Sequence, residues 1–510
     1  MNNTLKVLAG AGFAMLVALY ANSLVGDSVN GGFLVLAAVF GAYMAMNIGA
    51  NDVANNVGAA VGSGALSIGG AIVIAVIFEA SGALIAGGDV VGTIKKGIVS
   101  PDAFGGDPML FVYAMSAALL AAALWLNLAT WLKAPVSTTH SIVGGVLGGG
   151  IAAGGFAIVA WGTMGKIAAS WIISPVLGGI IAAAFLYVIK SQIVFKDDKL
   201  AAAKRVVPIL VAIMVAAFTT YLTIKGLKHI WGDVTHLLSF LPDTKKPSFL
   251  VALSFGAIGG IVTYLLVKPR IIKKVAAISD SREDINLLFT IPLIFAACML
   301  CFAHGANDVA NAIGPLAAIN EALASHTVVT KAHIPLWVMV VGAFGIAVGL
   351  ALFGPRLIKT VGHEITELDH MRAFSVMMAA AITVVIASQL GLPVSSTHIA
   401  IGAIFGVGFL REWLDSKTID EKRLKLITAQ DNYKQIKIDL KTQKDPAKKL
   451  KLIKKQQVQK RKLKKIKKNL KQKYVKRNLV KKIIAAWIIT VPVAAALSAV
   501  IFFVLKGINS

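Results

Sequence analysis

The sequence predicts an all-α polytopic membrane protein, an inverted-topology tandem repeat with broken or re-entrant helices and about 10 to 13 membrane segments. Three observations lead to this prediction. The chain is 57% hydrophobic and 15% charged, with a mean hydropathy of +0.75, which a water-soluble fold of 510 residues would not tolerate. Apolar runs long enough to span a bilayer recur along the chain. Two polar motifs each occur twice, in the same order and at nearly the same separation.

The apolar runs exclude a single membrane anchor. About 20 apolar residues in a helix cross roughly 30 Å of hydrocarbon. Runs of this kind lie at 67–88, 109–132, 207–225, 286–303 and 372–391. We interpret the first run, Leu5 to Tyr20, as a retained span because no small-residue cleavage signal clearly follows it.

The repeat is visible in direct self-comparison. The stretch from Gly49 to Gly58 (GANDVANNVG) returns from Gly305 to Gly314 (GANDVANAIG), 256 residues later. The stretch from Pro135 to Gly144 (PVSTTHSIVG) returns from Pro393 to Gly402 (PVSSTHIAIG), 258 residues later. A third pair, Trp171-Ile-Ile-Ser and Trp487-Ile-Ile-Thr, is separated by 316 residues because a basic segment is inserted in the second copy.

These features divide the chain into five parts. We expect a first transmembrane repeat at 1–190, linking spans and cytoplasmic loops at 191–285, a second repeat at 286–410, a basic cytoplasmic helical insertion at 411–482, and the final transmembrane helix of the second repeat at 483–510.

The basic loops predict the orientation of the chain. Loops 190–205 and 268–282 are rich in Lys and Arg and should face the cytoplasm. Counting crossings from these loops places Asn51 on the cytoplasmic side and Asn307 on the outer side, so the two repeats are predicted to be inverted.

The insertion carries most of the net charge of +26. Residues 411–482 contain 27 Lys and Arg against 7 Asp and Glu, a net charge of +20. The segment is expected to form two Lys-rich helices broken near Asp445-Pro446. A solvated hairpin and contact with anionic lipid are both open interpretations. Nucleic-acid binding is disfavoured because Tyr433 and Tyr474 are the only aromatic residues of the segment after Trp413.

The Gly-Ala-Asn-Asp motif places a carboxylate and two amides beside glycine, at what the sequence suggests is the end of an apolar helix. The residues are Asn51, Asp52 and Asn55 in the first copy and Asn307, Asp308 and Asn311 in the second. Polar groups at membrane depth persist where they face a cavity, coordinate an ion or cap a helix. Helix capping at the interface is the simpler alternative. Carboxylate, amide and carbonyl oxygens are suitable ligands for a sodium ion.

The Pro-Val-Ser motif is expected to begin a helix whose free N–H groups and hydroxyls form an anion site without a buried Arg or Lys. Ordinary Ser/Thr bonding to the helix backbone is the alternative. Two such helix starts, brought together by an inverted fold, would enclose a tetrahedral oxyanion.

Other polar residues lie in or beside the apolar runs. Glu79 could carry a proton, bind a cation or pair locally, and the histidines at 140, 304 and 398 are expected to be structural more often than proton relays. Cys298 and Cys301 have no second pair to complete a metal shell. No P-loop is present, so nucleotide-driven transport is not expected. These polar residues are interpreted as those of a transporter and not of an enzyme, so no catalytic residue is assigned.

The doubled motifs resemble the PiT family of inorganic phosphate transporters over nearly the whole chain apart from the insertion. The resemblance implies that phosphate binds between the two hydroxyl-bearing helix starts, with Asp52 and Asp308 nearby. The phosphate ligands it implies on the helix starts are Ser137, Thr138, Thr139, Ser395, Ser396 and Thr397. It also implies a coupling cation at Asp52 and Asp308, assisted by Asn51, Asn55, Asn307 and Asn311. We add Glu79 to this cation set because it is an acidic residue inside an apolar run. The Asn-Asp form of the motif is more like the sodium-coupled branch.

The leading hypothesis is therefore a secondary active symporter in the cell membrane that imports phosphate with Na⁺, with H⁺ as the other candidate ion. A sulfate permease of the same fold and a non-transporting phosphate sensor are the alternatives. No cofactor is expected beyond the coupling ion, and the oligomeric state is open between monomer and homodimer.

Overall fold

A computed structural model describes residues 3–25, 31–99, 104, 107–132, 134, 136–228, 230–238, 241–242, 244–325, 334–364, 368–416, 419–470 and 477–508. Nineteen α-helices lie within these residues: α1 Asn3–Val25, α2 Gly31–Gly62, α3 Ile68–Ala86, α4 Gly88–Lys96, α5 Pro108–Trp131, α6 Thr138–Gly154, α7 Trp161–Ile189, α8 Lys199–Gly226, α9 Trp231–Leu237, α10 Phe249–Val275, α11 Arg282–Leu287, α12 Thr290–Asp308, α13 Ala310–Ser325, α14 Leu336–Glu364, α15 His370–Gln389, α16 Ser396–Ser416, α17 Ile419–Thr442, α18 Pro446–Leu470 and α19 Arg477–Ile508. A 3-10 turn, Phe156–Ile158, follows α6, and a π-helical turn, Lys190–Val194, extends α7.

The all-helical prediction is confirmed over the described residues, where the only β-type pairing is an isolated bridge between Val99 and Val159. Side chains cap several of the helix starts. Ser67 accepts the N–H of Gly70, and Asp107 accepts that of Met109, just after Pro108 opens α5. These caps satisfy N–H groups that the first turn of a helix cannot bond internally.

Eleven helical segments of the described chain are long and apolar enough to cross a membrane, within the predicted range of 10 to 13. Several helices expose large apolar side chains that an aqueous environment would disfavour. On α10, for example, Leu250, Ile261 and Leu265 are each more than 60% exposed. A lipid-facing surface accounts for this pattern, and the polytopic membrane architecture is confirmed.

The two repeats pack on each other by reciprocal close contacts. A Cβ atom added at Gly49 of α2 would lie 2.0 Å from the carbonyl oxygen of Ile346 in α14. At Gly305 of α12, the equivalent atom would lie 2.0 Å from the carbonyl oxygen of Glu79 in α3. Only glycine allows backbones to approach this closely. Each motif helix therefore packs against the helix that follows the other copy of the motif.

Further close contacts show the same reciprocity. A Cβ atom added at Gly82 would approach the carbonyl oxygen of Phe302, and one added at Gly349 would approach that of Met46. The same reciprocity holds for two other helix pairs: α6 packs on α19, and α16 packs on α7. A Cβ at Gly148 would lie 2.0 Å from Ala495 O, and one at Gly406 would lie 2.0 Å from Gly179 O. The sequence repeat thus corresponds to a repeat in packing.

The Gly-Ala-Asn-Asp motif was expected at the end of a helix, and its observed position differs. The first Gly-Ala-Asn-Asp copy lies inside the unbroken 32-residue helix α2, so the prediction that it ends a helix is wrong there. In the second copy, α12 ends at Asp308 and α13 begins at Ala310, with Val309 between them. The glycines of this motif allow close helix contact, as described above, and need not mark a helix end.

The Pro-Val-Ser segments do precede helix starts. Helices α6 and α16 begin at Thr138 and Ser396, three residues after the prolines of the motif. Pro135 lies outside the described residues. The two helix starts, rather than the Gly-Ala-Asn-Asp segments, are the principal interruptions near the site.

The chain separates into two compact units, residues 1–407 with 477–510 and residues 408–476. In the second unit, α17 and α18 form a helical hairpin. The break between them lies at 443–445, where Asp445-Pro446 predicts it.

Candidate functional site

The polar motifs converge inside the first unit. All of the predicted site residues are at least 92% buried: Asn51, Asp52, Asn55, Glu79, Ser137, Thr138, Thr139, Asn307, Asp308, Asn311, Ser395, Ser396 and Thr397. They come from the middle of α2, from α3, from the junction of α12 and α13, and from the starts of α6 and α16. Such a concentration of buried polar groups is costly unless the groups bond to each other or to a ligand.

The two aspartates of the repeated motif meet at one hydroxyl group. Thr138 Oγ1 lies 2.8 Å from Asp52 Oδ2 and 3.0 Å from Asp308 Oδ2. A hydroxyl has one hydrogen to donate, so it satisfies only one of these oxygens at a time. Asp308 Oδ1 has no hydrogen-bond partner among the described residues. Asp308 is therefore the carboxylate that lacks a donor.

The third polar residue of each motif reaches the helix start of the other repeat. Asn55 Nδ2 donates to Thr397 Oγ1 at 2.8 Å, and Asn311 Nδ2 donates to Thr139 Oγ1 at 3.2 Å. Asn55 Nδ2 also lies 3.3 Å from Asp52 Oδ1. Asn55 thus connects Asp52 to the start of α16, and Asn311 bonds to the start of α6.

The hydroxyls of the two helix starts also bond across the repeat boundary. Thr139 Oγ1 donates to the carbonyl of Val394 at 2.9 Å, and Thr397 Oγ1 lies 3.4 Å from the carbonyl of Val136. The two Pro-Val-Ser segments are consequently direct neighbours, as the inverted-repeat interpretation requires.

The first Asn of each motif is held by a helix outside the motifs. Asn307 Nδ2 donates to Ser388 Oγ of α15 at 2.9 Å. The amide of Asn51 lies 3.0 Å from Thr130 Oγ1 of α5. With its oxygen accepting from Thr130, as its surroundings favour, the nitrogen of Asn51 donates to Asp52 Oδ1 at 3.2 Å. Asn51 and Asn307 thus support the site from equivalent positions.

Each helix start presents its first turn to this cluster. Ser137 Oγ accepts the N–H of His140 at 3.1 Å, and Ser395 Oγ accepts that of His398 at 3.2 Å. Other N–H groups of a first turn have no partner within the helix and carry partial positive charge. The hydroxyl of Ser396 has no hydrogen-bond partner among the described residues. The two first turns therefore offer donors to an anion.

His304 and Asn56 lie in the site although the sequence did not assign them to it. His304 Nε2 lies 3.5 Å from Asp52 Oδ2 and 3.3 Å from Asp308 Oδ2, and Nδ1 lies 3.2 Å from Glu79 Oε2. Asn56 Nδ2 donates to Glu79 Oε1 at 2.8 Å. The position of His304, directly before the second motif, was a signal, but no sequence pattern links it to Glu79.

The cluster has the geometry to hold a cation. One ligand atom each from Asp52, His304 and Asp308 lie within 4.8 Å of one another. The carboxylate oxygens are hard ligands suited to an alkali cation, whereas the imidazole nitrogen is better suited to a transition metal. The oxygen donors therefore favour a cation between the aspartates, with His304 beside them.

The other two histidines each stack on a tryptophan. The His140 ring stacks on Trp171 with centroids 3.7 Å apart, and the His398 ring stacks on Trp487 at 3.5 Å. The two imidazoles are 4.5 Å apart. This four-ring stack joins the two repeats beside the helix starts.

Comparisons with known proteins agree on one family. Residues 48–498 match the model of the phosphate transporter family. A protein of Helicobacter pylori strain 26695 named "Putative phosphate permease" is 48% identical, over 99% of this chain and 96% of its own. Proteins of the same name from Chlamydia trachomatis (40% identical) and, with a locus suffix, from Pyrococcus abyssi (38%) each match 74% of this chain and 90% and 89% of their own. A solved structure named "The sodium-dependent phosphate transporter" is 30% identical, with a TM-score of 0.74, over 93% of this chain and 99% of that one.

Proposed function

This chain belongs to the phosphate transporter family, and on that premise we propose that it is a secondary active symporter of the cell membrane that imports inorganic phosphate with Na⁺. The observation that carries the proposal is the meeting of two buried aspartates with two helix starts at one place. Phosphate is the cargo that the family name gives. The choice of Na⁺ rests on the donor atoms of the site together with the sodium dependence named for the similar solved structure.

Phosphate binds, in this proposal, between the first turns of α6 and α16. The ligands are the hydroxyls of Ser137, Thr138, Thr139, Ser395, Ser396 and Thr397 and the N–H groups behind them. The unpartnered hydroxyl of Ser396 is a donor that a phosphate oxygen would satisfy. A phosphate that carries a proton can in turn donate to Asp52 or Asp308.

Na⁺ binds between Asp52 and Asp308. The two carboxylates share the single hydrogen of Thr138, so a cation between them would supply the positive charge that the hydroxyl cannot. Asn51, Asn55, Asn307 and Asn311 hold these carboxylates and the neighbouring hydroxyls in place. Glu79 contributes negative charge through its contact with His304, one step from the aspartates.

Helix directions support an inverted repeat and alternating access. Residues 45, 49 and 53 of α2 meet residues 345, 350 and 354 of α14 in increasing order, so these two helices run in the same direction. The repeat offsets make α12 and α3 parallel as well. The turn at 63–67 and the bond from Asn56 to Glu79 make α3 antiparallel to α2. Helices α2 and α12 then point in opposite directions, as expected for an inverted-topology repeat.

Uptake by purified protein in liposomes tests the proposal. We expect an inward Na⁺ gradient to drive accumulation of radiolabelled phosphate, and an equal choline gradient to drive none. Uptake driven equally by an inward proton gradient without Na⁺ would assign the coupling to H⁺.

The same assay addresses the two alternatives. Sulfate has no proton to donate to Asp52 or Asp308 near neutral pH, so excess unlabelled sulfate should leave phosphate uptake unchanged. Strong competition by sulfate would favour a sulfate permease. Retained phosphate binding without uptake under any gradient would favour a sensor.

Two further parts of the proposal concern the surroundings of the transporter. The segment 411–482 is proposed to lie in the cytoplasm because of its charge and the orientation of the basic loops. Anionic lipid is proposed as a partner of this segment that takes no part in the transport step.

A further inference from the structure

The hairpin of α17 and α18 has a defined inner face. Over residues 446–464 of α18, whose side chains the structure describes, the partly buried residues are Leu452, Gln456, Gln459 and Leu463, which recur at helical spacing. Gln459 Nε2 donates to the carbonyl of Ala429, a buried residue of α17, at 3.2 Å. The inner face of α18 therefore packs on α17, and its opposite face points away from the hairpin.

Charge is divided unequally between the two helices. Helix α18 carries 12 Lys and Arg and no Asp or Glu in 25 residues. Helix α17 carries six Lys and Arg against four Asp and Glu in 24 residues. Most of the positive field of this unit therefore originates from α18 alone.

The outer face of α18, opposite its inner face, combines basic and apolar side chains. It consists of Leu450, Lys454, Gln457, Val458 and Arg461, which lie on one side of the helix at a rotation of 100° per residue. Leu450 is 58% exposed and Val458 is 63% exposed. Apolar side chains set among Lys and Arg are typical of helices that lie on anionic membranes.

Resting on the cytoplasmic position and lipid partner proposed above for 411–482, we propose that the outer face of α18 binds the anionic phospholipid headgroups of the membrane that holds the transporter. Lys454, Arg461 and the flanking lysines contact lipid phosphates, and Leu450 and Val458 enter the headgroup region. Chain length permits this contact. Six residues separate Leu470 from the start of α19 at Arg477, a connection of at most about 25 Å. Helix α18 is itself about 37 Å long and can lie flat along the surface.

A fluorescent label on the outer face tests the proposal in the full-length protein. Gln457→Cys is labelled with an environment-sensitive fluorophore in nanodiscs of neutral lipid or of neutral lipid with anionic phosphatidylglycerol, each containing nitroxide-labelled lipid as a quencher. Gln435→Cys, an exposed position on α17, is the matched control. The parent chain, labelled identically, corrects for reaction at Cys298 and Cys301.

We expect anionic lipid to blue-shift and quench the label at position 457 but not at 435. Lys454→Glu with Arg461→Glu should raise the anionic lipid fraction needed for half-maximal quenching at least about twofold, since each reversal replaces an attraction to the anionic surface by a repulsion. Lys434→Glu with Lys437→Glu on α17 should have a smaller effect.

Equal signals in neutral and anionic nanodiscs would overturn the proposal. A shift at 457 produced by a short RNA duplex, but not by anionic lipid, would assign the face to nucleic acid instead. Because the label reports contact and not uptake, failure here is distinguishable from failure of the proposed transport function.

Discussion

In the first repeat, the helix that follows the motif, α3, carries Glu79, whereas the equivalent position of α14 in the second repeat is Ile346. The reverse holds for the helices that carry the motif. His304 precedes the second motif, and Ile48 stands at the equivalent place before the first. The aspartates, the other motif asparagines and the hydroxyls around them are matched in both repeats, whereas Asn56, which bonds to Glu79, is replaced by Ala312. The pseudo-symmetric shell therefore encloses an asymmetric pair of ionisable groups.

The difference suggests a division of roles within the site. Matched residues suit a cargo and a cation bound between the two repeats. The unmatched pair, Glu79 and His304, places two ionisable groups on one side of this shell. Three buried carboxylates beside a single histidine are costly without a bound cation, since each uncompensated buried charge costs several kcal/mol. Cation binding at the site is therefore expected to control which conformational states of the transporter are populated.

The largest effect should come from removing either matched carboxylate. Asp52→Asn and Asp308→Asn should each lower Na⁺-driven phosphate uptake by at least about 100-fold, because a buried charge that pairs with a cation contributes roughly 3 kcal/mol or more. Membrane insertion should be unchanged. Uptake in liposomes measures the first effect, and the yield of folded protein in detergent measures the second. Wild-type uptake by either variant would remove that residue from the mechanism and break the symmetry of the site.

Removing the unmatched pair should have a smaller and non-additive effect. Glu79→Gln and His304→Gln should each reduce uptake by about 10-fold, and the double variant should be no worse than the more damaged single variant, because residues in direct contact couple. Initial uptake rates of the three variants form the test. Multiplicative losses would show that the two side chains act independently.

How far the sequence predicts this structure differs between the matched and unmatched residues. Repetition identified Asp52 and Asp308, their asparagines and both helix starts, since the same residue types recurred at the same spacing. The contact between Glu79 and His304 joins residues 225 positions apart that have no equivalent in the other repeat, so no pattern revealed it. The helix end expected at Asp52 was also wrong. Gly49 of the motif allows α14 to approach the intact helix α2, and hydrophobic periodicity alone cannot distinguish this use of glycine from a helix break.

Removing the matched asparagines should have a smaller effect than removing the carboxylates. Asn55→Ala and Asn311→Ala each remove a hydrogen bond to the opposite helix start, and each should weaken phosphate binding by about five- to tenfold, as expected for about 1–1.5 kcal/mol. Equilibrium binding of labelled phosphate in saturating Na⁺ provides the measurement. A loss confined to one of the two variants would indicate that phosphate contacts only one repeat.

The smallest effect on transport should come from the glycines of the repeat interface. Gly82→Ala and Gly349→Ala place a methyl group against the carbonyl of Phe302 or Met46 and should destabilise the fold by about 1–3 kcal/mol each. Activity per folded molecule should change little. Thermal unfolding in detergent compares them with Gly69→Ala, where nothing lies within 4 Å of the added carbon. Destabilisation by Gly69→Ala equal to that of the other two would argue against the reciprocal contacts.

Linked binding of phosphate and Na⁺ is the most direct test of a shared site between the repeats. The affinity of the purified protein for labelled phosphate is measured over a series of Na⁺ concentrations, with choline keeping ionic strength constant. The affinity should rise with Na⁺ by at least about tenfold, a coupling of roughly 1.4 kcal/mol, and Asp52→Asn should remove the rise. A phosphate affinity independent of Na⁺ in the wild-type protein would contradict a common site for cargo and cation.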